Sequence, residues 1–259
     1  DKTIAADNFI NELQKTIEVD NRGKRTPKQI LSDFAPLFIE KLFGVSGDNL
    51  IKAISALKSG LNEKDVQLYF HDPSLQAKVA SYNWTGEIKD TSKDFLSVVN
   101  ANIGGGKTDN FIKQKVDLTS SINDAGEIIN TLTITRDHTG KENDLFGSKS
   151  NVDYVRVYVP EGSKLLSASG FSAIPAEKFE KPAENAKTDE FLNEIQGKVW
   201  VEPESGTQIN NEFGKTAFGN WLQTDPGETT AATLRYKLPF TVNFPKEKGL
   251  FSLFAKKES

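Results

Sequence analysis

Hydrophobic residues are spaced differently in the two parts of this chain, and the change occurs near Trp84. Before that point, apolar side chains recur every three to four residues, which is the period of an amphipathic helix. Thr26–Pro27 and Asp72–Pro73 are typical helix starts, and Asp7 can cap the first helix. The pattern predicts helices over residues 7–18, 26–43, 48–59 and 72–79, with a short strand over 66–70.

The predicted helices carry broad apolar faces. Pro36 lies inside the second helix and predicts a kink or a break there. Gly60 is expected to end the third helix. We expect the apolar side chains of the third helix to point inward, as an amphipathic helix requires. These side chains are Leu50, Ile51, Ile54 and Leu57.

After Trp84, apolar and polar residues alternate and turn signals recur, as in half-buried strands. The alternation predicts strands over residues 95–103, 112–122, 128–135, 152–159, 165–171, 199–201, 213–222, 229–238 and 250–255. Short strands joined by turns, without helices between them, are typical of an antiparallel sandwich. Residues 174–195 are predicted to be an insertion with a short helix over 183–195. The predicted fold class is α+β, with an N-terminal helical segment (1–82) followed by an immunoglobulin-like β-sandwich (83–259).

Charge and composition exclude several classes of function. The 259 residues include 32 Lys and Arg against 36 Asp and Glu, and the formal net charge is −4. This balance argues against a nucleic-acid partner, which would need an excess of basic residues. No stretch approaches the roughly 18 apolar residues of a membrane helix, so no direct membrane insertion is expected. The chain has no cysteine, which excludes disulfides, thiolate metal sites and cysteine nucleophiles.

The chain begins at Asp1 and contains no methionine. A chain of this length would usually carry about five or six methionines. We therefore expect it to be a domain of a longer protein. An alternative is that methionines of the natural chain are missing from this sequence.

Residues 101–108 satisfy a loose version of the phosphate-binding loop, but Ala101 stands where that pattern has glycine. A phosphate loop must leave a strand and enter a helix, so that backbone amides meet the phosphates. Here the residues from Ile112 onward alternate as a strand does. We therefore predict a glycine-rich bend between two strands, with Lys107 in solvent and no nucleotide bound.

Other chemistry-bearing residues are isolated in sequence. His138 lies near Asp137, Glu142, Asp144 and Asp153, but their spacing matches no calcium loop, and a solvated loop is the simpler interpretation. Glu202 and Glu204 flank Pro203, which is typical of a protected strand edge. We expect no catalytic residue, metal site or cofactor.

Three tryptophans are candidates either for the core or for carbohydrate contact. Trp221 follows Phe213 and Phe218 in an apolar run and is predicted to lie in the core. For Trp84 and Trp200, the sequence does not decide between a core position and carbohydrate contact.

Several stretches of the chain resemble the C-terminal half of a family of exported, membrane-anchored bacterial proteins. That family carries a domain of unknown function and is frequent in genomes of the candidate phyla radiation. The resemblance covers residues 26–255 and rests on the motifs at 83–88, 98–109, 138–141, 154–163, 214–219 and 226–229. It implies an extracytoplasmic location in the cell envelope, with the parent protein anchored in the membrane.

The upstream part of that family distantly resembles the LytR-CpsA-Psr glycopolymer phosphotransferases, whose catalytic residues match nothing in this chain. The helical segment would then be the end of an upstream α/β domain. Two functions follow as hypotheses. One is a non-catalytic envelope module for scaffolding, adhesion or binding of cell-wall or surface polysaccharide, with Trp84 and Trp200 as contacts. The other is part of a LytR-CpsA-Psr-like transferase, with Lys24, Arg25 and Lys28 near an anionic lipid phosphate. The oligomeric state stays open.

Overall fold

The computed structural model describes residues 5, 8–21, 23, 26, 28–179 and 181–243. Their contacts form two compact units, and the chain passes from the first to the second after Glu87. Helices build the first unit, and two antiparallel sheets build the second, so the α+β class with a β-sandwich is confirmed. In the described part of the chain, no helix combines the length and the hydropathy needed to span a membrane.

The described residues of the helical unit form four α-helices: α1 (Phe9–Lys15), α2 (Gln29–Phe43), α3 (Asp48–Asn62) and α4 (Pro73–Ser81). A wider helical turn, Thr16–Asp20, continues α1. α4 begins after Asp72, as the Asp72–Pro73 pair predicted. The Asp72 carboxylate accepts hydrogen bonds from the backbone N–H groups of Ser74 and Leu75, both at 2.9 Å.

Several predicted helix details were wrong. Asn8, not Asp7, immediately precedes α1, and Asp7 lies outside the described residues. α2 begins at Gln29 and runs through Pro36 without ending there. α3 continues past Gly60 to Asn62. Residues 66–70 are not a strand. The Leu68 N–H donates to the Trp84 carbonyl at 2.9 Å, but this single hydrogen bond does not make a strand ladder.

The second unit contains nine strands among its described residues: β1 (Ser97–Asn102), β2 (Ile112–Ile122), β3 (Glu127–His138), β4 (Asn151–Pro160), β5 (Lys164–Ser169), β6 (Trp200–Val201), β7 (Gln208–Glu212), β8 (Lys215–Thr224) and β9 (Thr229–Thr241). One sheet has the order β1-β4-β8-β7-β6, and the other has the order β2-β3-β9-β5. β7 was not predicted, because a turn at Phe213 and Gly214 divides the predicted strand 213–222 from it. The predicted strand 250–255 lies outside the described residues.

The core lies between the two sheets and follows the predicted alternation. Val155, Val157 and Val159 of β4 point inward from one sheet, and β9 contributes alternate residues from the other. The buried apolar cluster also draws on β3 and β8, through Ile128, Leu132, Ile134, Phe218, Leu222, Ala232, Leu234, Tyr236 and Leu238. Removing these side chains from water is the main driving force for folding of this unit.

The connection between β5 and β6 covers part of the outer face of the first sheet. It contains a short helical turn, Ala176–Lys178, and α5 (Glu190–Gln196), which is shorter than the predicted helix. The Ser172 N–H donates to the Trp221 carbonyl at 2.8 Å, and the Asn210 side chain donates to the Gln196 carbonyl at 3.0 Å. The insertion is therefore attached to β7 and β8.

Candidate functional site

The glycine-rich segment is a bend between β1 and β2, with a turn of 3₁₀ helix (Thr108–Phe111) before β2. Gly105, Gly106 and Lys107 have φ angles of +65°, +69° and +61°. The Asn102 side chain closes the bend, since its oxygen accepts from the Gly105 N–H at 3.0 Å. That amide is therefore engaged within the bend, and the α-helix that a phosphate cradle requires does not follow it.

A buried polar cluster lies beside this bend. Arg136 of β3 and Asp153 of β4 are only 2% and 0% exposed and form an ion pair that joins the two sheets. The Asn151 side chain donates to Thr108 Oγ1 and to Asp109 Oδ1, both at 2.9 Å. The bend is thus tied to the start of β4 by side-chain hydrogen bonds.

Burial dominates the electrostatics of this cluster. It raises the pKa of Asp153 above its ordinary value, and the Arg136 guanidinium opposes that rise. Arg136 Nε, Asn151 Oδ1 and Asp153 Oδ1 have no hydrogen-bond partner among the described residues. The cluster joins the sheets, and each of its members is costly to remove alone.

His138 is a buried, hydrogen-bonded residue and not part of a solvated loop, so that interpretation was wrong. Its Nδ1 accepts from the Gly140 N–H at 3.1 Å, and its Nε2 lies 3.0 Å from the Lys149 carbonyl oxygen. Nδ1 is thus the acceptor and Nε2 carries the proton. Nowhere in the described ranges do three or more His, Cys, Asp or Glu side chains gather in a way that could hold a metal ion.

The predicted ligand contacts are distributed over both units. Lys24 and Arg25 lie outside the described residues, and Lys28 is exposed immediately before α2. Trp84 is half-buried, stacks on Tyr82 at 5.0 Å, and donates its indole N–H to Asn62 Oδ1 at 3.1 Å. These contacts hold the Trp84 ring within the helical unit.

The two tryptophans of the sandwich differ in environment. Trp200 lies on the short edge strand β6, and its side chain is 54% exposed. Trp221 is half-buried on the outer face of the first sheet, between Tyr154 (4.8 Å) and Phe179 (5.1 Å). The prediction of Trp221 in the inter-sheet core was wrong, because Phe218 and Leu222 take the inward positions of β8.

A second polar cluster connects β4 to β7 on the outer face of the first sheet. The Tyr158 hydroxyl donates to Glu212 Oε1, and Arg156 lies 3.7 Å from the same oxygen. Burial and the Glu212 carboxylate raise the pKa of Tyr158 to about 12. Sequence reasoning missed this cluster because Glu212 belongs to the strand that was not predicted.

One depression of the sandwich has a mixed polar and apolar lining and carries both signs of charge. It encloses about 480 Å³, and its lining includes Asp90, Lys93, Glu161 and Lys215. Lys215 is buried, lies 3.5 Å from Asp90, and places its ammonium 5.1 Å from the centre of the Phe95 ring. Lys215 therefore already has partners for its ammonium, and the mixed lining favours no ligand of one particular charge.

The helical unit departs most from an ordinary globular surface. Among its described hydrophobic residues, only Leu13 and Leu61 are buried, and Phe43 is 85% exposed. The expectation that α3 points its apolar residues inward was wrong, because Leu50, Ile51, Ile54 and Leu57 are all exposed. On α2, the exposed residues are Leu31, Leu37, Phe38, Ile39, Leu42 and Phe43. We call these exposed apolar positions of α2 and α3, taken together, the helical apolar surface.

No family model, no curated protein and no solved structure matches this chain. The surface features of the chain itself are therefore the basis for proposing a function. The exposed apolar residues of α2 and α3 are the most unusual of these features, because an amphipathic helix of a globular protein usually buries its apolar face.

Proposed function

We propose that this chain is a non-catalytic scaffold module of the bacterial cell envelope, which binds a protein partner through the helical apolar surface. The exposure of that surface is the observation that carries the proposal. Full burial of one Leu, Ile or Phe side chain contributes roughly 1.5–3 kcal/mol, so docking of several would give a stable contact. The envelope location is implied by the family resemblance.

Site-specific photo-cross-linking in the producing bacterium tests this function. Phe38 on α2 and Phe213 in the sandwich are both 53% exposed, so they form a matched pair for replacement by benzoylphenylalanine. We expect a discrete protein adduct from position 38 and none from position 213. The adduct should disappear when Leu37 and Phe43 are changed to serine. Equal labelling from both positions, or none from position 38, would contradict the proposal.

Surface-polymer binding is a second proposed role, favoured by the exposed indole of Trp200. An exposed indole on an edge strand can stack on the apolar face of a sugar ring. Titration with purified wall polysaccharides, followed by tryptophan fluorescence, tests this role. Loss of about 1.4 kcal/mol of stacking in Trp200→Ala would weaken binding tenfold. Trp84→Ala, whose ring is held by Tyr82 and Asn62, serves as the comparison.

The transferase alternative depends on basic residues near α2, of which Lys28 is described and exposed. It predicts that polyprenyl phosphate raises the melting temperature and that Lys28→Ala removes this shift. Lys52→Ala on α3 is the control for a general loss of charge. The scaffold proposal expects no shift with polyprenyl phosphate or with ATP.

A further inference from the structure

Among the described residues, the strand β2 leaves one long edge of the sandwich unpaired. It is the outer strand of its sheet, and among the described residues it pairs only with β3, over all of Ile112–Ile122. Alternate residues of such a strand point their N–H and C=O groups away from the sheet. β2 therefore offers a row of backbone donors and acceptors to a further strand.

The middle of the inward face of β2 is apolar and only partly covered. Val116 and Leu118 lie opposite Ile134 and Leu132 in the ladder, and those two partners are 1% and 0% exposed. Val116 and Leu118 themselves are 40% and 41% exposed. A strand added beside β2 would continue the ladder and cover these two side chains. Both backbone hydrogen bonds and apolar burial would therefore favour strand addition at this edge.

The outward face of β2 carries the charges that select the partner. Lys113, Lys115 and Asp117 lie there, and Lys115 pairs with Asp117 at 2.9 Å while both stay largely exposed. The strand has no proline, and its inward positions carry no charge. Edge strands are usually protected from further pairing by proline, by inward charges or by outward lysines, and β2 has only the outward lysines.

We infer that β2 pairs antiparallel with β2 of a second copy of this chain, with Val116 opposite Val116 of the second copy. In this two-fold register, Lys115 lies opposite Asp117 of the second copy, and Asp117 opposite its Lys115. Directly opposite residues share a face in an antiparallel pair, so both ion pairs form on the outward face. The two four-stranded sheets become one continuous sheet.

Neighbouring symmetric registers are less favourable. Centring the pair on Lys115 also forms two attractive pairs, Lys113 opposite Asp117, but it opposes the two Lys115 side chains at the centre. Centring it on Asp117 opposes two aspartates. Centring it on Gln114 places Lys113 opposite Lys115. Opposed like charges destabilise strand pairs, so the charge pattern of β2 selects the Val116 register over these three.

Cysteine cross-linking tests the register directly, because the chain has no cysteine of its own. Directly opposite Cα atoms in an antiparallel pair are about 4.5–5.5 Å apart, within the range of a disulfide. Val116→Cys should therefore oxidise to a covalent dimer. Leu118→Cys is the matched control, since the register separates the two introduced thiols by four strand positions, about 13 Å. Equal cross-linking of both variants, or of neither, would overturn the inference.

Charge reversal tests the same pairing without a covalent bond. In Lys115→Glu or Asp117→Lys, both attractive pairs become repulsive, which should weaken self-association roughly tenfold. A mixture of the two variants should recover it, because every cross-strand pair is again of opposite sign. Analytical ultracentrifugation measures each case. A wild type that stays monomeric, or a mixture that associates no better than its components, would overturn the inference and leave the edge to a strand of another protein.

Discussion

At the residue scale, the buried pair of Arg136 and Asp153 is the most sensitive point of the sandwich. Asp153→Ala would leave the buried guanidinium with only the more distant and exposed Asp109 carboxylate, at 4.0 Å, and breaking a buried pair typically costs about 3–5 kcal/mol. Asp117→Ala removes one partner of the exposed pair with Lys115 and should cost no more than about 1 kcal/mol. Urea unfolding measures both variants. Similar midpoints for the two would contradict the assigned role of the buried pair.

The glycine-rich bend gives a second prediction at this scale. Gly105→Val should destabilise the protein by about 1–3 kcal/mol, because a β-branched residue resists the positive φ at this position. Lys107→Ala keeps a Cβ at an exposed position and should change stability by no more than about 0.5 kcal/mol. Calorimetry should find no ATP affinity in the wild type. Micromolar ATP binding that Lys107→Ala abolishes would show a phosphate cradle instead.

The contact between Tyr158 and Glu212 gives a pH prediction. The folded pKa of Tyr158, about 12, lies above the unfolded value of about 10. The folded state therefore holds the phenolic proton more tightly. The resulting stabilisation is complete below about pH 10 and is lost as the pH rises toward 12.

Phenolate absorbance measures this titration, with Tyr158→Phe identifying the signal. Glu212→Gln removes the carboxylate and should move the pKa of Tyr158 down toward its ordinary value. A Tyr158 pKa that is unchanged in Glu212→Gln would contradict the assigned cause.

At the element scale, the sequence predicted strands better than the packing of helices. Alternation over residues 152–159 predicted β4 correctly, because one apolar and one polar face are encoded in the sequence of the strand itself. The same kind of reasoning located the glycine-rich bend between two strands. It could not find the pair of Arg136 and Asp153, because these residues come from different sheets and meet only in the folded sandwich.

Helix periodicity was less informative, because it identifies an apolar face without showing what covers that face. Leu50 and Ile54 have the spacing of core residues, yet both are exposed. The exposed edge of β2 was likewise invisible, since strand order is not encoded in the local alternation.

The continuity of α2 through Pro36 leads to a prediction for that element. Proline in a helix interior costs about 3 kcal/mol relative to alanine, and Pro36 is exposed, so little packing compensates for it. Pro36→Ala should therefore raise the helical circular dichroism signal and the thermal stability of the helical unit. Leu31→Ala, an exposed change in the same helix, is the control. A loss of helicity in Pro36→Ala would show that the proline has a structural role.

At the scale of the whole molecule, the two units differ in how they are stabilised. The sandwich buries a continuous apolar core between its sheets, whereas Leu13 and Leu61 are the only buried hydrophobic residues in the described part of the helical unit. Helices without a packed face are marginally stable in water. The helical unit is therefore expected to gain its stability from the partner that covers its apolar surface.

Native-state hydrogen exchange of the isolated protein tests this central claim most directly. Amides of β3, β4, β8 and β9 should exchange only through global unfolding, and amides of α2 and α3 should exchange much faster through local opening. Binding of the protein that is cross-linked at position 38 should then slow α2 and α3 selectively. Protection of α2 and α3 equal to that of β4 and β8 in the isolated protein would contradict the claim, because the helices would then be stable without a partner.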